Sequence, residues 1–272
     1  MYVDYYRLRE EPFNVTPDPR FLYFTAQHRE ALDHMLYGIR QRKGFICLTG
    51  EVGTGKTSLC RRLLQELGAG FETALILNPM LTPTQLLRAV VDELGIETRR
   101  RDRLGYLRLL NQFLLERNAA GRDTVLIVDE AQDMPAQSLE MTRLLSNLET
   151  HSQKLLQIVL VGQPELRDKL AKPALRQLAQ RITVRYHLGR MTPADTERYL
   201  RHRLRVAAGQ GGGVLEFDAA AAREIHRYAR GTPRLVNALS DKALLAGFVY
   251  RTGRIDRRLV RVAARELEEA GA

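Results

Sequence analysis

Gly50-Glu51-Val52-Gly53-Thr54-Gly55-Lys56-Thr57 separates two segments of opposite character. Before it, Phe45-Ile46-Cys47-Leu48-Thr49 is a short apolar run bounded by Gly44 and Gly50, as a buried strand would be. After it, Ser58 to Leu67 sets Leu59, Leu63, Leu64 and Leu67 on one helical face, and Gly68 follows as the terminating residue. The octet matches G-x-x-x-x-G-K-[ST], and a strand before it with a helix after it is the context in which that pattern cradles phosphate. Its glycines permit a tight turn whose N–H groups converge on phosphate oxygens. The helix N-terminus adds about half a positive charge toward the same anion. Gly50, Glu51, Val52, Gly53, Thr54, Gly55, Lys56, Thr57 and Ser58 are therefore the candidate residues for binding ATP. Lys56 would reach the β- and γ-phosphates, and the Thr57 hydroxyl would ligate Mg²⁺. A glycine-rich turn with a surface lysine would leave the eight matched positions and both flanks unexplained.

A second string supports the first. In Thr124-Val125-Leu126-Ile127-Val128, the stretch Val125–Val128 is aliphatic on both faces, which suits a central parallel strand, and it ends in Asp129-Glu130. Asp129 would hold Mg²⁺, usually through water, and Glu130 would orient and deprotonate the attacking water. The competing reading is that Asp129 or Asp133 caps the helix carrying Leu139, Leu144, Leu145 and Leu148.

The 272 residues suffice for a large domain and a small one. Apolar runs are strand-sized, Leu155 to Val161 among the longest, so no transmembrane helix is expected. The aromatic, polar N-terminus lacks the form of a signal peptide. The two cysteines, Cys47 and Cys60, read as small buried residues in a reducing compartment, and a cytoplasmic location is expected. The histidines show no metal-ligand spacing. The net charge is +10, and residues 174–272 hold 19 Lys and Arg against 10 acids, a net of +9. That excess reads either as a surface for nucleic acid or anionic lipid, or as a solvated helical face, since the arginines form no single run.

The first 26 residues carry seven of the 18 aromatics and Pro12, Pro17 and Pro19, and read as an extended arm docked by its rings. The arm would pack near the adenine, clasp a neighbouring subunit, or simply complete a core. An amphipathic helix over 27–42 follows, with Ala31, Leu32, Met35, Leu36 and Ile39 inward. Beyond the phosphate loop come a strand at Thr73–Asn78, a capped helix from Thr82 to about Leu94, a helix at Leu104–Asn118, the acidic strand, and a helix to Glu149. Gln157–Val161 and Ile182–Leu188 read as two more strands. From Thr192 the pattern is all helical, interrupted by a flexible Gly209–Gly213 loop and by Gly231-Thr232-Pro233. The fold class is α/β, a parallel five-stranded sheet covered by helices (residues 1–190), followed by a small all-helical lid (residues 191–272).

The fourth strand ends in a polar residue, Gln163, which could sense the γ-phosphate or position water. With the helical segment after it, this order resembles the AAA+ class of ATPase. In that class an arginine opening a lid helix reaches the γ-phosphate, and Arg234 stands in the matching Gly231-Thr232-Pro233-Arg234 context. An arginine before the fifth strand usually acts on a neighbouring subunit's nucleotide, the position of Arg181, with Arg176 as the alternative. More specifically, Pro17-Asp18-Pro19-Arg20-Phe21-Leu22-Tyr23, Asp129-Glu130-Ala131-Gln132, Asn147-Leu148-Glu149-Thr150 and Gly162-Gln163-Pro164-Glu165-Leu166 resemble the ATPase domain of general secretion pathway protein A (ExeA-type). Leu175-Arg176-Gln177-Leu178-Ala179-Gln180-Arg181-Ile182 and Gly231 to Asn237 continue the resemblance.

The resemblance implies an ATP hydrolase that forms a nucleotide-dependent homo-oligomeric ring. It further implies work with a membrane partner protein of a secretion system, at the cytoplasmic face of the inner membrane. Such proteins commonly add a transmembrane helix and a peptidoglycan-binding domain, for which residues 1–272 show no candidate. The competing expectation is a DNA-dependent ATPase similar to transposition regulators of the TniB/TnsC type, which the charge of the last third favours. A nucleotide-gated scaffold without hydrolysis is disfavoured by intact Lys56, Asp129 and Glu130.

Overall fold

The computed structural model describes residues 1–14, 18–150, 153–209 and 215–271. Pro17 and residues 210–213 of the expectations above lie outside the described residues. The chain divides into two compact units, one of Ala26–Glu51 and Leu59–Leu188, the other of Met1–Thr25, Val52–Ser58 and Gly189–Ala272.

The first unit is built on strands β1 (Phe45–Gly50), β2 (Phe71–Ile76), β3 (Asp123–Val128), β4 (Leu156–Gly162) and β5 (Ile182–Leu188). They form one sheet in the order β2-β3-β4-β1-β5, every neighbouring pair parallel. Strands β1 and β4 are buried along their whole length, the consequence of helices on both faces. Helix α2 (Ala26–Arg40) packs on β1 and β5, while α4 (Pro83–Glu93) and α5 (Arg103–Ala119) pack on β2 and β3. The inward residues expected of α2 are all buried. Helix α4 starts with Thr82 and Gln85 capping one another, a device worth about 1 kcal/mol.

Two segments differ from expectation. Strand β2 begins and ends two residues early, because its ladder with β3 runs from Phe71 opposite Asp123 to Ile76 opposite Val128. The helix after the acidic pair is broken. A 3-10 turn at Ala131–Asp133 comes first, and α6 (Ala136–Leu145) starts only after Pro135 and stops before Glu149. Pro135 occupies its N-cap, so neither Asp129 nor Asp133 caps it. At its far end the Ser146 hydroxyl donates to the Arg143 carbonyl at 2.7 Å, a local bond that competes with continuing the helix. The short helix α7 (Glu165–Leu170) follows β4 and packs against the 3-10 turn.

The second unit gathers α9 (Pro193–Ala208), α10 (Ala219–Ala229), α11 (Pro233–Val249) and α12 (Arg257–Gly271) around the aromatic arm. The C-terminal part is not wholly helical: β6 (Glu216–Phe217) and β7 (Arg254–Ile255) pair in parallel. Nor is the arm wholly extended. It opens with α1 (Tyr2–Tyr5) ahead of its first proline and makes a 3-10 turn at Pro19–Phe21. Tyr2, Tyr6, Phe13 and Phe21 are buried in the same core as Leu200, Ile225 and Leu244, so these rings complete the helical core.

Arg203 of α9 anchors the arm. It is only 7% exposed, and it donates to the Pro12 and Asn14 carbonyls at 2.5 and 2.9 Å. Its guanidinium also lies 4.6 Å from the Phe21 ring centroid. Burial works against its charge, and carbonyl dipoles with the aromatic face replace the lost water.

Glu224 of α10 is the opposite case, a carboxylate 3% exposed that accepts from Arg227, Arg257 and Arg261 at 2.9, 3.0 and 2.8 Å. The Arg227 hydrogen bond first, then those of Arg261 and Arg257, hold its pKa down at about 2 against an ordinary 4.5, with burial opposing them. A folded-state pKa below the unfolded one stabilises the fold above the unfolded value, and the gain is lost as pH falls toward the folded one. Glu224→Gln should therefore lower stability near neutrality by about 1–3 kcal/mol. Its denaturation curves should also be flatter than wild type between pH 4.5 and about 2. Circular-dichroism melts across that range measure both.

Candidate active site

In the first unit the chemistry gathers at the C-terminal edge of the sheet. Asp129 directly follows β3, is 2% exposed, and is fixed by its N–H donating to the Ile76 carbonyl at 2.9 Å. Its Oδ1 accepts the Glu130 N–H at 2.9 Å. Glu130 sits in the left-handed region, φ 50° and ψ 36°, a costly conformation for a residue with a side chain. The turn brings its carboxylate against two amides. Gln132 Nε2 donates to Glu130 Oε2 at 2.8 Å, and Gln163 Nε2 to the same oxygen at 3.4 Å. Gln132 Oε1 in turn accepts the Gln163 backbone N–H at 3.0 Å. The structure thus brings Asp129, Glu130 and Gln163 together. It adds Gln132, to which the sequence reading assigned no role. The available signal was its place two residues beyond Glu130.

Strand β1 pairs with β4 so that Thr49 lies opposite Gly162, and with β5 so that Gly50, its last residue, lies opposite Leu188. The loop that follows belongs to the second unit from Val52 to Ser58. Its turn is made by Gly53 (φ 74°) and Gly55 (φ 99°), conformations that L side chains rarely adopt. Lys56 opens helix α3 (Lys56–Leu67) two residues earlier than expected and is 5% exposed. A Cβ on Gly53 would stand 2.8 Å from Arg234 Cβ and 3.3 Å from Thr232 Cγ2. The loop is therefore in contact with the first turn of α11, where the exposed Arg234 sits. Just before that turn, Gly231 (φ 72°) lies against the Met191 backbone, where a Cβ would fall 2.1 Å from the Met191 carbonyl oxygen.

Arg181 ends helix α8 (Arg176–Arg181). Its guanidinium donates within its own chain to Ser146 Oγ at 2.8 Å, Asn147 Oδ1 at 2.5 Å and the Arg143 carbonyl at 3.4 Å. Arg176, at the other end of that helix, is exposed.

The donor set suits a Mg²⁺ carried on a nucleotide. Such an ion takes only one or two carboxylates and keeps phosphate and water as its other ligands, and Asp129 supplies a buried carboxylate. Among the described residues no helix is long and apolar enough to cross a membrane.

A parallel sheet in this order, with a glycine-rich loop after β1, an acidic pair after β3 and a polar residue after β4, is the P-loop fold of the AAA+ class. Residues 39–170 match the family described as AAA domain. General secretion pathway protein A of Aeromonas hydrophila is 45% identical over 98% of the chain, which spans about half (48%) of that relative's length. Among solved structures, Cdc6p of Pyrobaculum aerophilum aligns at TM-score 0.72 and 18% identity, covering 95% of this chain and 71% of its own. The ORC2 protein of Aeropyrum pernix, solved in ADPNP–ADP complexes, aligns at TM-score 0.65 and 16% identity, covering 95% and 72%. These two likenesses establish the fold and no more.

Gly53→Ala should impair nucleotide binding, since the added methyl demands an unfavourable φ and meets the Cβ of Arg234. The expected result is an ATP dissociation constant raised about tenfold or more, for a cost of about 1.4 kcal/mol or above. Equilibrium titration with a fluorescent ATP analogue measures it.

Proposed function

We propose that the chain binds ATP–Mg²⁺ along Gly50–Ser58 and hydrolyses it. Lys56 binds the β- and γ-phosphates, while Thr57 and Asp129 hold the metal ion. Glu130 takes the proton of the attacking water. Gln163 and Arg234 contact the γ-phosphate, and residues 191–272 act as a lid that registers its loss. The observation that carries this reading is the Glu130 carboxylate, held by amides at the sheet edge where β1 delivers its loop. A bound metal ion would supply charge neutralisation of the phosphates, and the side chains position the water and receive its proton.

The match to general secretion pathway protein A supports a role in which hydrolysis drives conformational change or oligomer assembly in a secretion or export system, alongside a membrane partner. In a homo-oligomeric ring, Arg181 (or Arg176) would complete the neighbour's site. Arg181 would first have to leave its acceptors at Ser146 and Asn147.

Lys56→Ala should abolish ATP binding, and Glu130→Gln should retain binding while turnover falls at least 100-fold, about 2.7 kcal/mol. Wild-type turnover by Glu130→Gln would overturn the base assignment. Mixing Arg181→Ala with Lys56→Ala protein should restore part of the ATPase activity. Should the mixture stay inactive while the same experiment with Arg176→Ala recovers, the finger is Arg176.

A DNA-dependent ATPase is the second reading, and one observation favours it, the +9 net charge of residues 174–272. Filter binding of duplex DNA across salt concentrations decides between the two. Tight binding with a steep salt slope, accompanied by stimulated ATPase, would displace the secretion role.

A further inference from the structure

We infer that Gln132 is a positioning residue for hydrolysis, clamping the Glu130 carboxylate to the backbone of Gln163. This rests on the reading of Glu130 as the base. The orientation of the Gln132 amide follows from its partners. The Gln163 N–H can only donate, so it must meet Gln132 Oε1, as it does at 3.0 Å. The NH₂ end is then turned toward carboxylates, Glu130 Oε2 at 2.8 Å and Asp133 Oδ2 at 3.0 Å. One side chain thereby fastens the residue after β4 to the base after β3.

Two neighbours fit this role. Gly162 has no Cβ, and one placed there would stand 2.8 Å from Gln132 Oε1, so the glycine leaves the space the amide occupies. Lys169 Nζ, from α7, donates to the Gln132 and Met134 carbonyls at 2.7 and 2.5 Å, which pins the backbone of the turn independently of the Gln132 side chain. Truncating that side chain therefore removes the clamp and leaves the turn in place.

The arrangement also divides the work of the carboxylate. Gln132 and Gln163 both donate to Oε2, and Oε1 is the oxygen that would take the water's proton. A carboxylate free to rotate would spend little time with that oxygen aimed at the attacking water, so the loss should appear in kcat and not in binding.

The test is single-turnover and steady-state ATP hydrolysis by the full chain, with ATP affinity and thermal stability measured in parallel. Gln132→Ala should lower kcat about 10- to 100-fold while the ATP dissociation constant stays within about twofold of wild type. Gln132→Glu keeps an acceptor for the Gln163 N–H but places a third carboxylate beside Glu130 and Asp133, and it should be at least as slow. Gly162→Ala, which displaces the amide without removing it, should reproduce part of the loss. In a Glu130→Gln background, Gln132→Ala should add little further loss, because the two act as a unit. If Glu130→Gln is inactive yet Gln132→Ala turns over at the wild-type rate, the clamp is wrong and the base assignment stands. If Glu130→Gln itself is fully active, it is the base assignment that fails. A Gln132→Ala protein whose rate falls only in step with ATP affinity or melting temperature would reduce Gln132 to a structural role and overturn the proposal.

Discussion

Everything at the candidate site depends on β4 lying between β1 and β3. A parallel sheet needs a crossover after every strand, so all five strands end at the same edge. With neighbours about 4.8 Å apart, the strand that delivers the phosphate loop and the strand that delivers the acidic pair are separated by about 10 Å. That gap is wide enough for a phosphate, a metal ion and a water. The intervening strand ends in it, so the residue after β4 is the one whose backbone and side chain can both enter. Gln163 uses both, its N–H toward Gln132 and its amide toward Glu130.

The backbone conformation of Glu130 has a different cause from the chain's other left-handed residues. Arg7, Arg42, Arg230 and Arg251 also have positive φ, and each lies just past the end of a helix, where that conformation closes the last turn. Glu130 follows a strand. What its conformation achieves is a reversal immediately after Asp129, so that two consecutive carboxylates serve different partners. Asp129 stays buried against the sheet, while Glu130 is passed to the amides. Such strain persists only where the surroundings over-determine it. Here these are the Glu130 N–H on Asp129, the Asp133 N–H on the Glu130 carbonyl at 2.9 Å, and the Lys169 ammonium on the turn.

Much of the fold was legible because its signals are local. The apolar runs at Phe45 and Val125 are flanked by residues that can only be turns or acids, and Ile182–Leu188 alternates in the way its half-buried edge position requires. The errors arose where non-local pairing decides. The limits of β2 are set by its ladder with β3, not by its own composition. The two-residue strands β6 and β7 are too short to carry any periodicity. Helix α6 ends early through Ser146 and the guanidinium of Arg181, 35 residues away. The Gln132 clamp belongs to the same class. An amide side chain two residues past a carboxylate has many uses, and its orientation here is fixed by an N–H donor 31 residues further on.

Formal charge and available hydrogen-bond donors are different quantities in the last third. The arginines of the last third suggest a surface waiting for an anion, yet many already have work inside the fold. Three surround Glu224, Arg203 holds the arm, and Arg198, Arg201 and Arg254 pair with Asp195, Glu197 and Asp218. Pairing does not reduce the net +9 of the segment, so the field that would draw in a polyanion survives, within a Debye length of about 8–10 Å. What pairing consumes is donors. A guanidinium already committed to a carboxylate has fewer N–H groups left for a phosphate. Exposed arginines outside these pairs include Arg223, Arg230, Arg251, Arg258 and Arg265. The positive field of the segment and its capacity for specific binding are therefore separate quantities.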